Sequence, residues 1–495
     1  MVRAMFILSR SFYKRVQYAL MGITSILVSS STASILSNQP RSHSCTAPSL
    51  LPEKPFVVVW NHPSQVCERH GVHVDFKKWG ILSNKDSFIG EIVSLLYGPG
   101  KWPYYQDNYS YNGGLPQLGN ETFHLKSLEG VLDSEVPNLS FSGLGVIDFE
   151  KWRPLFSLNF DSLKIYQEKS LELAKQRHPD YNSSQVAEEA VREFEKSARA
   201  YIEDSLRVAT TQRPHGQWGY YGYPRCWDEQ CNTSTVINND RMSWVFAASS
   251  ALYPSIYFDL DTPPAARARK VTKTLLETLR VKAKWAGTDA AIFPYALNQD
   301  GPYTFFKSSD LDYSIRQPAD LGSSGILLWG SSATARAKDE CLLLQDYVNS
   351  TLGPFSKLVM DFFSNCSAQL CSSHGRCVRK DYEAVYQHHL STTEHERCKM
   401  PQSSLVISLK RKQPISENFT VLLKSLQDRN AHEREGFSSL KPERVAQKID
   451  VIDRMLRSRA SHGERSAEAD NGFDDYVCKC LAGWSGPHCD REDIE

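Results

Sequence analysis

Residues 56 to about 330 alternate short apolar runs with longer amphipathic stretches, and this alternation constrains the fold of the chain most strongly. The runs that favour strands are Phe56–Trp60, Glu91–Tyr97, Leu144–Phe149, Gln217–Tyr223, Ser255–Leu260, Ala290–Tyr295 and Gly325–Trp329. Between the third and fourth runs, residues 184–208 place apolar side chains on one helical face. Strands that alternate with helices pair in parallel through crossover connections, which predicts an α/β fold.

The residues along and after these strands distinguish an open doubly wound sheet from a closed barrel. Continuously apolar runs such as residues 57–59 and 326–328 are typical of strands covered on both faces. The glycine-rich turn of dinucleotide-binding open sheets is absent from the sequence. Polar and aromatic residues instead follow the strands, at the end where a barrel holds its active site. These residues are Asn61, Tyr97, Asp148, Glu150, Tyr221, Tyr223, Asp259 and Trp329.

The charge balance excludes partners that are bound by bulk charge. The 495 residues carry 57 basic and 57 acidic side chains, so the formal net charge is zero. Nucleic acid or an anionic membrane would have to be met by a local groove, and we expect neither as a partner. Apolar residues make up 41% of the chain, which excludes a disordered protein.

The amino-terminal segment has the order of a secretory signal. Residues 1–36 begin with basic residues, continue through the apolar stretch 18–28 and end in small residues. The apolar stretch is shorter than the ~20 residues of a membrane span. We expect a secreted or lysosomal protein with no stable membrane span after signal removal; a retained signal anchor is the alternative. Surface glycosylation is expected at the Asn-x-Ser/Thr sequons of Asn108, Asn120, Asn138, Asn182, Asn232, Asn349, Asn365 and Asn418.

Six cysteines in the last third of the chain have a recognisable spacing. They follow the pattern C-x4-C-x5-C, then residues 378–477, then C-x-C-x8-C. Disulfides are favoured over zinc ligands in an oxidising compartment. The spacing resembles an epidermal-growth-factor-like (EGF-like) module over residues 362–490, interrupted by the insertion 378–477. This resemblance implies the pairs Cys366–Cys377, Cys371–Cys478 and Cys480–Cys489.

The insertion 378–477 is polar and contains residues that could suggest a metal site. Its residues 408–470 have mixed charge and few aromatics, which predicts a mobile or partly helical excursion. The residues with metal-binding side chains are His388, His389, His395 and Cys398. They meet no ligand spacing of a structural zinc site, and a solvated charged segment commonly contains such residues. We expect no metal and no cofactor.

Residues 143–154, with the sequence G-L-G-V-I-D-F-E-K-W-R-P, contain the sharpest candidate for catalysis. Residues i and i+2 of a strand lie on one face, so Asp148 and Glu150 would point together. Two close carboxylates do not ionise independently, and the one that keeps its proton at a raised pKa can act as a general acid. A solvent-exposed acid pair at a strand end is the alternative, because shifted pairs mark functional sites only statistically.

Several segments between residues 55 and 360 carry a resemblance to a known family. They are residues 60–63 (W-N-H-P) with Cys67, 97–100 (Y-G-P-G), 113–117 (G-G-L-P-Q), 148–154 (D-F-E-K-W-R-P), 213–224 (R-P-H-G-Q-W-G-Y-Y-G-Y-P), 251–257 (A-L-Y-P-S-I-Y) and 328–330 (L-W-G). Together they resemble the hyaluronidases of glycoside hydrolase family 56. The resemblance implies a distorted TIM-like (β/α) barrel of seven or eight strands over residues 55–360, followed by the EGF-like module. It also implies an endo-β-N-acetylhexosaminidase that cuts hyaluronan, and in several members chondroitin, with retention of configuration.

The resemblance assigns roles to individual residues. Glu150 matches the general acid that protonates the leaving oxygen and later activates water. Asp148 matches the partner that orients the acetamide of the sugar, whose carbonyl attacks its own anomeric carbon. The matched substrate-binding residues are Tyr97, Tyr221, Tyr253 and Trp329, with Asp300 near the place of another cleft acid. An aromatic residue at a strand end can equally pack the barrel top.

The same resemblance pairs Cys67 with Cys341 and Cys226 with Cys231. Cys45 and Cys398 stay unassigned, because they can pair with each other, stay free or join another chain. Arg153 has two interpretations, a bidentate contact with a uronate carboxylate or a buried pairing with a barrel acid. We prefer the structural interpretation of Arg153.

The sequence is compatible with four functions. The first is an active secreted glycosaminoglycan hydrolase with hyaluronan as its default substrate, and the second is a hydrolase that prefers chondroitin. The third is a glycosaminoglycan-binding protein that has lost catalysis, which the joint presence of Asp148, Glu150 and the matched aromatic residues disfavours. The fourth is a receptor ligand formed by the terminal module, which the insertion 378–477 disfavours.

Overall fold

The structure is a computed structural model that describes most of residues 54–380 and the carboxyl-terminal end of the chain. The described ranges are 54–84, 87–107, 109–226, 231–287, 290–301, 303–331, 335–380, 473–481 and 483–492. The expectations for residues 1–36, for most of the insertion 378–477, for Cys45, Cys398, His388, His389 and His395, and for the sequons of Asn108 and Asn418 lie outside these ranges. None of the helices within them is long and apolar enough to cross a membrane.

Strands and helices alternate along the described ranges, as the sequence predicted. The strands are β1 (Val57–Asn61), β2 (Leu82–Ser83), β3 (Val93–Tyr97), β4 (Tyr104–Gln106), β5 (Tyr109–Tyr111), β6 (Leu144–Asp148), β7 (Gln217–Tyr220), β8 (Ala251–Leu252), β9 (Ala291–Ile292), β10 (Tyr295–Ala296), β11 (Gly325–Trp329), β12 (Gly375–Arg379), β13 (Tyr476–Cys480), β14 (Trp484–Ser485) and β15 (Arg491–Glu492). The α-helices are α1 (Val66–Arg69), α2 (Glu121–Glu135), α3 (Lys164–Arg177), α4 (Ser183–Gln212), α5 (Thr233–Arg241), α6 (Ser243–Ala248), α7 (Pro264–Val281), α8 (Ser308–Leu311), α9 (Gln317–Asp320), α10 (Lys338–Tyr347) and α11 (Gly353–Leu370).

Parallel pairing builds these strands into the wall of a barrel. One run of paired strands has the order β10-β11-β1-β2, and a second has the order β3-β6-β7. The pair β8-β9 lies between the two runs, connected by single bridges from Tyr221 to Tyr253 and from Ser255 to Tyr295. On the other side, the Asn84 amide beyond β2 donates to the carbonyl of Val93 in β3. The expected distorted TIM-like barrel is confirmed.

Three predicted strands differ most from the structure. Ser255–Leu260 is not a strand; β8 lies just before it and ends ahead of Pro254, which has no backbone N–H for the ladder. The predicted strand Ala290–Tyr295 is split into β9 and β10 on either side of Phe293 and Pro294. The predicted run Gln217–Tyr223 ends as a strand at Tyr220.

Helix α4 confirms the predicted amphipathic helix and extends it in both directions. Its N-cap is Asn182, whose side chain accepts hydrogen bonds from the backbone N–H groups of Ser184 and Gln185, while the Gln185 side chain accepts from the Asn182 N–H. The apolar face of the helix is buried and packs against α2 and α3. The Tyr220 hydroxyl donates to the carbonyl of Ile202 at 3.1 Å, which fixes α4 against β7.

The disulfides in the described ranges join the same cysteines that the resemblance pairs. They are Cys67–Cys341, Cys226–Cys231, Cys366–Cys377, Cys371–Cys478 and Cys480–Cys489. The first connects α1, which follows the first barrel strand, to α10, which follows the last. The others in the tail hold a module in which β12 pairs with β13. The Tyr476 hydroxyl donates to Asp320 at 2.7 Å, so this module packs onto the barrel.

The sequon asparagines within the described ranges are exposed, as glycosylation requires. They are Asn120, Asn138, Asn182, Asn232, Asn349 and Asn365. Asn120, Asn182 and Asn232 are also helix N-caps, whose side chains accept hydrogen bonds from backbone N–H groups. Since a glycan is attached through the amide nitrogen, these caps are compatible with glycosylation, which stays a prediction.

A substitution at Gly145, in the middle of β6, tests the close packing that positions the end of this strand. A Cβ atom at this position would clash with the indole of Trp218, which is fully buried and donates through Nε1 to the carbonyl of Arg213. Because the indole has no room to move, we expect Gly145→Ala to lower the free energy of unfolding by about 1–3 kcal/mol. Urea unfolding followed by tryptophan fluorescence measures the change.

Gly130→Ala is the matched control. Gly130 lies on the exposed side of α2, where an added Cβ would have no heavy atom within 4 Å. We expect this substitution to raise the free energy of unfolding by about 0.5–1 kcal/mol, because alanine favours the helix. Equal stability of the Gly145→Ala protein and the wild type would contradict the close approach of β6 and Trp218.

Candidate active site

The carboxyl ends of the barrel strands bring Tyr97, Asp148 and Trp329 to one end of the barrel. Each is the last residue of its strand, and Tyr97 is paired in register with Asp148. The indole Nε1 of Trp329 donates a hydrogen bond of 2.8 Å to the hydroxyl of Tyr97. This bond connects β11 with β3 across the mouth of the barrel, so the predicted residues of three strands share one surface.

Asp148 and Glu150 lie in different environments although they are two residues apart. Asp148 is half-buried, and this burial raises its pKa from 3.8 to about 7; the negative charge of Glu150 adds to the effect and Arg225 opposes it. The Glu150 side chain is 55% exposed, and its Oε1 lies 3.9 Å from a guanidinium nitrogen of Arg225. The raised pKa therefore favours the protonated form of Asp148 up to neutral pH.

Tyr221 and Tyr257 form an aromatic wall together with Trp329. The Tyr257 ring stacks beside the Trp329 ring with centroids 6.1 Å apart, and Tyr221 lies 6.2 Å from Tyr257. Burial raises the pKa of both phenols, and the charges of Asp148 and Glu150 add to the rise at Tyr221. Both hydroxyls consequently stay protonated, and the two are hydrogen-bonded to each other.

Tyr253, in contrast, does not take the place expected for it. Its side chain is fully buried, and its hydroxyl donates to the carbonyl of Gln217 at the start of β7. The ring therefore points into the barrel, towards the amino-terminal ends of the strands. Tyr257, four residues later in the same segment, is the tyrosine that lies beside Trp329, and we replace Tyr253 by Tyr257 in the candidate site.

Asp300 and Arg153 have contacts of a structural kind. One carboxylate oxygen of Asp300 accepts a hydrogen bond of 2.9 Å from the backbone N–H of Leu260, which anchors one loop to another. The place of Asp300 as a cleft acid stays a prediction. Arg153 donates to the carbonyl of Leu158 at 2.6 Å and lies over the ring of Phe160. The Leu158 carbonyl and the Phe160 ring are partners of a structural kind, in line with the interpretation of Arg153 that we preferred.

Arg225 was not identified from the sequence. Asn239 holds its backbone, accepting from the Arg225 N–H at 3.4 Å and donating to the Arg225 carbonyl at 3.2 Å. Asn239 is itself buried and donates to Glu277 at 2.8 Å. The signal in the sequence is the position of Arg225 shortly after β7 and directly before Cys226, since such loops at the carboxyl ends of strands carry barrel active sites.

The hairpin of β4 and β5, which contains several tyrosines, lies beside Lys151, the residue after Glu150. The ammonium of Lys151 lies 5.1 Å from the ring centre of Tyr104 in β4, and this ring stacks on Tyr111 of β5 at 4.8 Å. Tyr109 and Tyr111 are exposed. Exposed rings and a cation next to the acid pair are groups that can bind sugar faces and carboxylates. Within the described ranges, no cluster of three or more His, Cys, Asp or Glu side chains could hold a metal ion.

Comparisons with known proteins find relatives of this chain. The profile of glycoside hydrolase family 56, described as hyaluronidase, matches residues 45–434. Hyaluronidase conohyal-Cn1 of Conus consors is 36% identical over 352 residues, covering 70% of this chain and 77% of that protein. Hyaluronidase-1 of Homo sapiens is 35% identical over 348 residues, covering 67% and 80%. The crystal structure of bee venom hyaluronidase in complex with a hyaluronic acid tetramer matches with a TM-score of 0.59 and 36% identity, covering 61% of this chain and 99% of that one.

The raised pKa of Asp148 makes the stability of the protein depend on pH. Since its pKa rises from 3.8 to about 7 on folding, the folded state favours the protonated carboxyl and loses stability as the pH rises through this range. Asparagine has no charge to bury. We expect Asp148→Asn to show a thermal midpoint near that of the wild type at about pH 4 and an increasingly higher one towards about pH 7. Thermal unfolding followed by circular dichroism measures the difference.

Asp180→Asn is the control for this prediction, because Asp180 is an exposed acid in the turn between α3 and α4. We expect its midpoint to follow the wild type at every pH. A difference between Asp148→Asn and the wild type that is constant with pH, or that grows towards acidic pH, would contradict burial as the cause of the raised pKa.

Proposed function

Since this chain belongs to the hyaluronidase family, glycoside hydrolase family 56, we propose that it is an endo-β-N-acetylhexosaminidase that cuts the β-1,4 linkages of hyaluronan. The chain is a glycosidase by membership of this family. We choose this site because the Asp148–Glu150 pair lies at the carboxyl end of β6 beside an aromatic wall. The relative with a bound hyaluronic acid tetramer supports hyaluronan as the substrate.

Glu150 acts as the acid and base of the proposed reaction. Its exposed side chain can reach the oxygen between two sugars, and in its protonated form it gives a proton to this oxygen as the bond to the anomeric carbon breaks. The resulting Glu150 carboxylate then takes a proton from a water molecule, which attacks the same anomeric carbon. The residue ends the cycle protonated, as it began.

Asp148 positions the acetamide that serves as the nucleophile. The acetamide carbonyl oxygen attacks the anomeric carbon of its own sugar, so a cyclic oxazolinium ion forms, and no covalent bond to the protein is needed. The charged form of Asp148 accepts a hydrogen bond from the acetamide N–H and stabilises the positive charge that grows on this nitrogen. Burial makes this charged form costly in the free protein, and the growing cation compensates for the cost.

The aromatic wall holds the sugar that undergoes reaction. Tyr221 and Tyr257 keep their protons, and a phenol that gives up the hydrogen bond between them can donate to the acetamide oxygen and fix its approach to the anomeric carbon. The face of Trp329 offers a surface for the acetamide methyl group. Tyr97 is held by the hydrogen bond from Trp329 and is half-exposed at the same end, where it can contact the substrate.

Chondroitin is the second candidate substrate, favoured by the cations near the site. Arg225 lies beside Glu150, and Lys151 follows Glu150 directly. The two polymers differ at one hydroxyl and in sulfation, and positive side chains in a groove favour a sulfated polymer.

The disulfides and exposed sequons support passage through the secretory pathway.

Glu150→Gln removes the proton donor and keeps the shape of the side chain. We expect this variant to keep its fold and its affinity for hyaluronan, and to lower kcat by roughly 10²–10⁴-fold, the usual contribution of a general acid. Reducing-end release measures turnover, and affinity electrophoresis through a hyaluronan gel measures binding.

The matched control is Glu129→Gln, which changes an exposed glutamate on the outer helix α2. We expect wild-type turnover from this protein. Turnover of Glu150→Gln close to that of the wild type would refute the assigned role. A variant that loses binding along with turnover would instead show that Glu150 holds the ground state of the substrate.

A further inference from the structure

The hairpin of β4 and β5 has one face that is rich in tyrosine rings. The strand register pairs Tyr104 with Tyr111 and Gln106 with Tyr109, so these four side chains share a face. The rings of Tyr104 and Tyr111 stack with their centroids 4.8 Å apart and their planes 7° from parallel. Tyr111 is 44% exposed and Tyr109 is 72% exposed, so a ligand can reach both rings.

Lys151 connects this face of the hairpin with the acid pair. It follows Glu150 directly, its ammonium lies 5.1 Å from the ring centre of Tyr104, and it donates to the side chain of Gln106 at 3.5 Å. The Lys151 side chain is exposed. A lysine ammonium has three N–H donors, so the bond to Gln106 leaves donors that can bind a carboxylate.

Contacts on its other face and at both ends fix the hairpin in this place. Tyr105 lies on the opposite face, where its ring packs against Tyr166 of α3 and its backbone N–H donates to the Tyr166 hydroxyl at 3.0 Å. The buried indole of Trp152 donates to the carbonyl of Pro103, just before β4, at 2.8 Å. The Asn112 amide, just after β5, donates to a backbone carbonyl at 2.8 Å. A surface that is already ordered loses little conformational entropy when a ligand binds.

We propose that the hairpin face, formed by Tyr104, Gln106, Tyr109, Tyr111 and Lys151, is a distal subsite that binds the polymer beyond the sugars at the cleaved bond. Lys151 binds a uronate carboxylate, and the exposed rings bind the faces of neighbouring sugars. This inference rests on the proposed function. It makes the hairpin face a determinant of chain length, because only a polymer that extends past the acid pair gains these contacts.

The chemistry of the hairpin face matches an acidic sugar chain. Tyrosine rings pack against the apolar faces of sugars, and their hydroxyls can donate hydrogen bonds to sugar oxygens. Hyaluronan alternates an N-acetylated sugar with a uronate, so rings next to a cation match two successive sugars. The face is also continuous with the acid pair, because Lys151 is bonded to Glu150. A polymer that is cut at Glu150 can therefore bring its next sugars to the hairpin.

The dependence of turnover on substrate length tests the aromatic part of the subsite. The substrates are hyaluronan oligosaccharides from the shortest that is cut up to the polymer, and reducing-end release measures kcat and KM. For the wild type, we expect kcat/KM to rise with length until the chain reaches the hairpin. In Tyr111→Ala and Tyr109→Ala, the ratio of kcat/KM on the polymer to that on the shortest oligosaccharide should fall roughly two- to tenfold, mainly through KM.

Matched variants separate a lost ring from a disturbed fold. Tyr111→Phe keeps the ring and should keep the ratio of the wild type. Phe123→Ala removes an exposed ring from the outer helix α2 and should keep this ratio as well. All the proteins carry Asn108→Gln, since a glycan on this sequon, next to Tyr109 in the sequence, would add its own sugars to the comparison.

The charge of the substrate tests the role of Lys151. In Lys151→Gln, kcat/KM on polymeric hyaluronan should fall roughly two- to fivefold at low salt, and the difference from the wild type should shrink at high salt. On carboxyl-reduced hyaluronan, Lys151→Gln and the wild type should give equal values, because the carboxylate partner is missing. Lys126→Gln, which changes an exposed lysine on α2, is the control and should behave as the wild type on both polymers.

The outcomes distinguish this inference from the proposed function. A lower length ratio in both tyrosine-to-alanine variants, together with a loss in Lys151→Gln that is confined to the charged polymer, supports the subsite. An unchanged length ratio overturns it. An equal loss at every length, or on both polymers, also overturns it, since such a loss indicates a merely structural role. A wild type that cuts none of these substrates overturns the proposed function itself, and the subsite with it.

Discussion

The parallel register of β3, β6 and β7 is the constraint on which the active site depends. This register places Tyr97 beside Asp148 and sets Glu150 two residues beyond the end of the same strand. The strands are held by buried apolar side chains and by the fit of Trp218 against Gly145, so the carboxylate pair stands on a rigid wall. The end of β11 brings Trp329 to the same end of the barrel, and the loops above the wall bring Tyr257 and Arg225 there. In this fold, active sites lie at the carboxyl ends of the strands and in the loops that follow them.

A difference in solvent exposure places the two carboxyls in different environments, which suit the two roles that we propose for them. Burial holds a proton on Asp148 up to about pH 7, whereas Glu150 faces solvent and the guanidinium of Arg225. The proposed reaction uses the charged form of Asp148. A substrate that brings an acetamide N–H to this carboxyl favours that form. The substrate thus completes the active form of the site.

The sequence predicted the features that depend on local pattern. Apolar runs identified β1, β6 and β11, and the spacing of Asp148 and Glu150 identified the acid pair. The errors fell where distant packing or proline decides the outcome: β8 stops before Pro254, so alternation along residues 251–257 could not show which of Tyr253 and Tyr257 faces inward. Arg225 was missed because a tertiary contact with Asn239 in α5 holds it in place, and the local pattern around Arg225 does not report that contact.

The most direct test of the account is size-exclusion chromatography of hyaluronan, unsulfated chondroitin and de-N-acetylated hyaluronan after incubation with the purified protein from acidic to neutral pH. We expect hyaluronan to be fragmented. The de-N-acetylated polymer should stay intact, because the sugars of this polymer lack the acetamide that Asp148 is proposed to position. Fragmentation of chondroitin as well would rank the two substrates. Intact hyaluronan at every pH, or equal cutting of the de-N-acetylated polymer, would contradict the account.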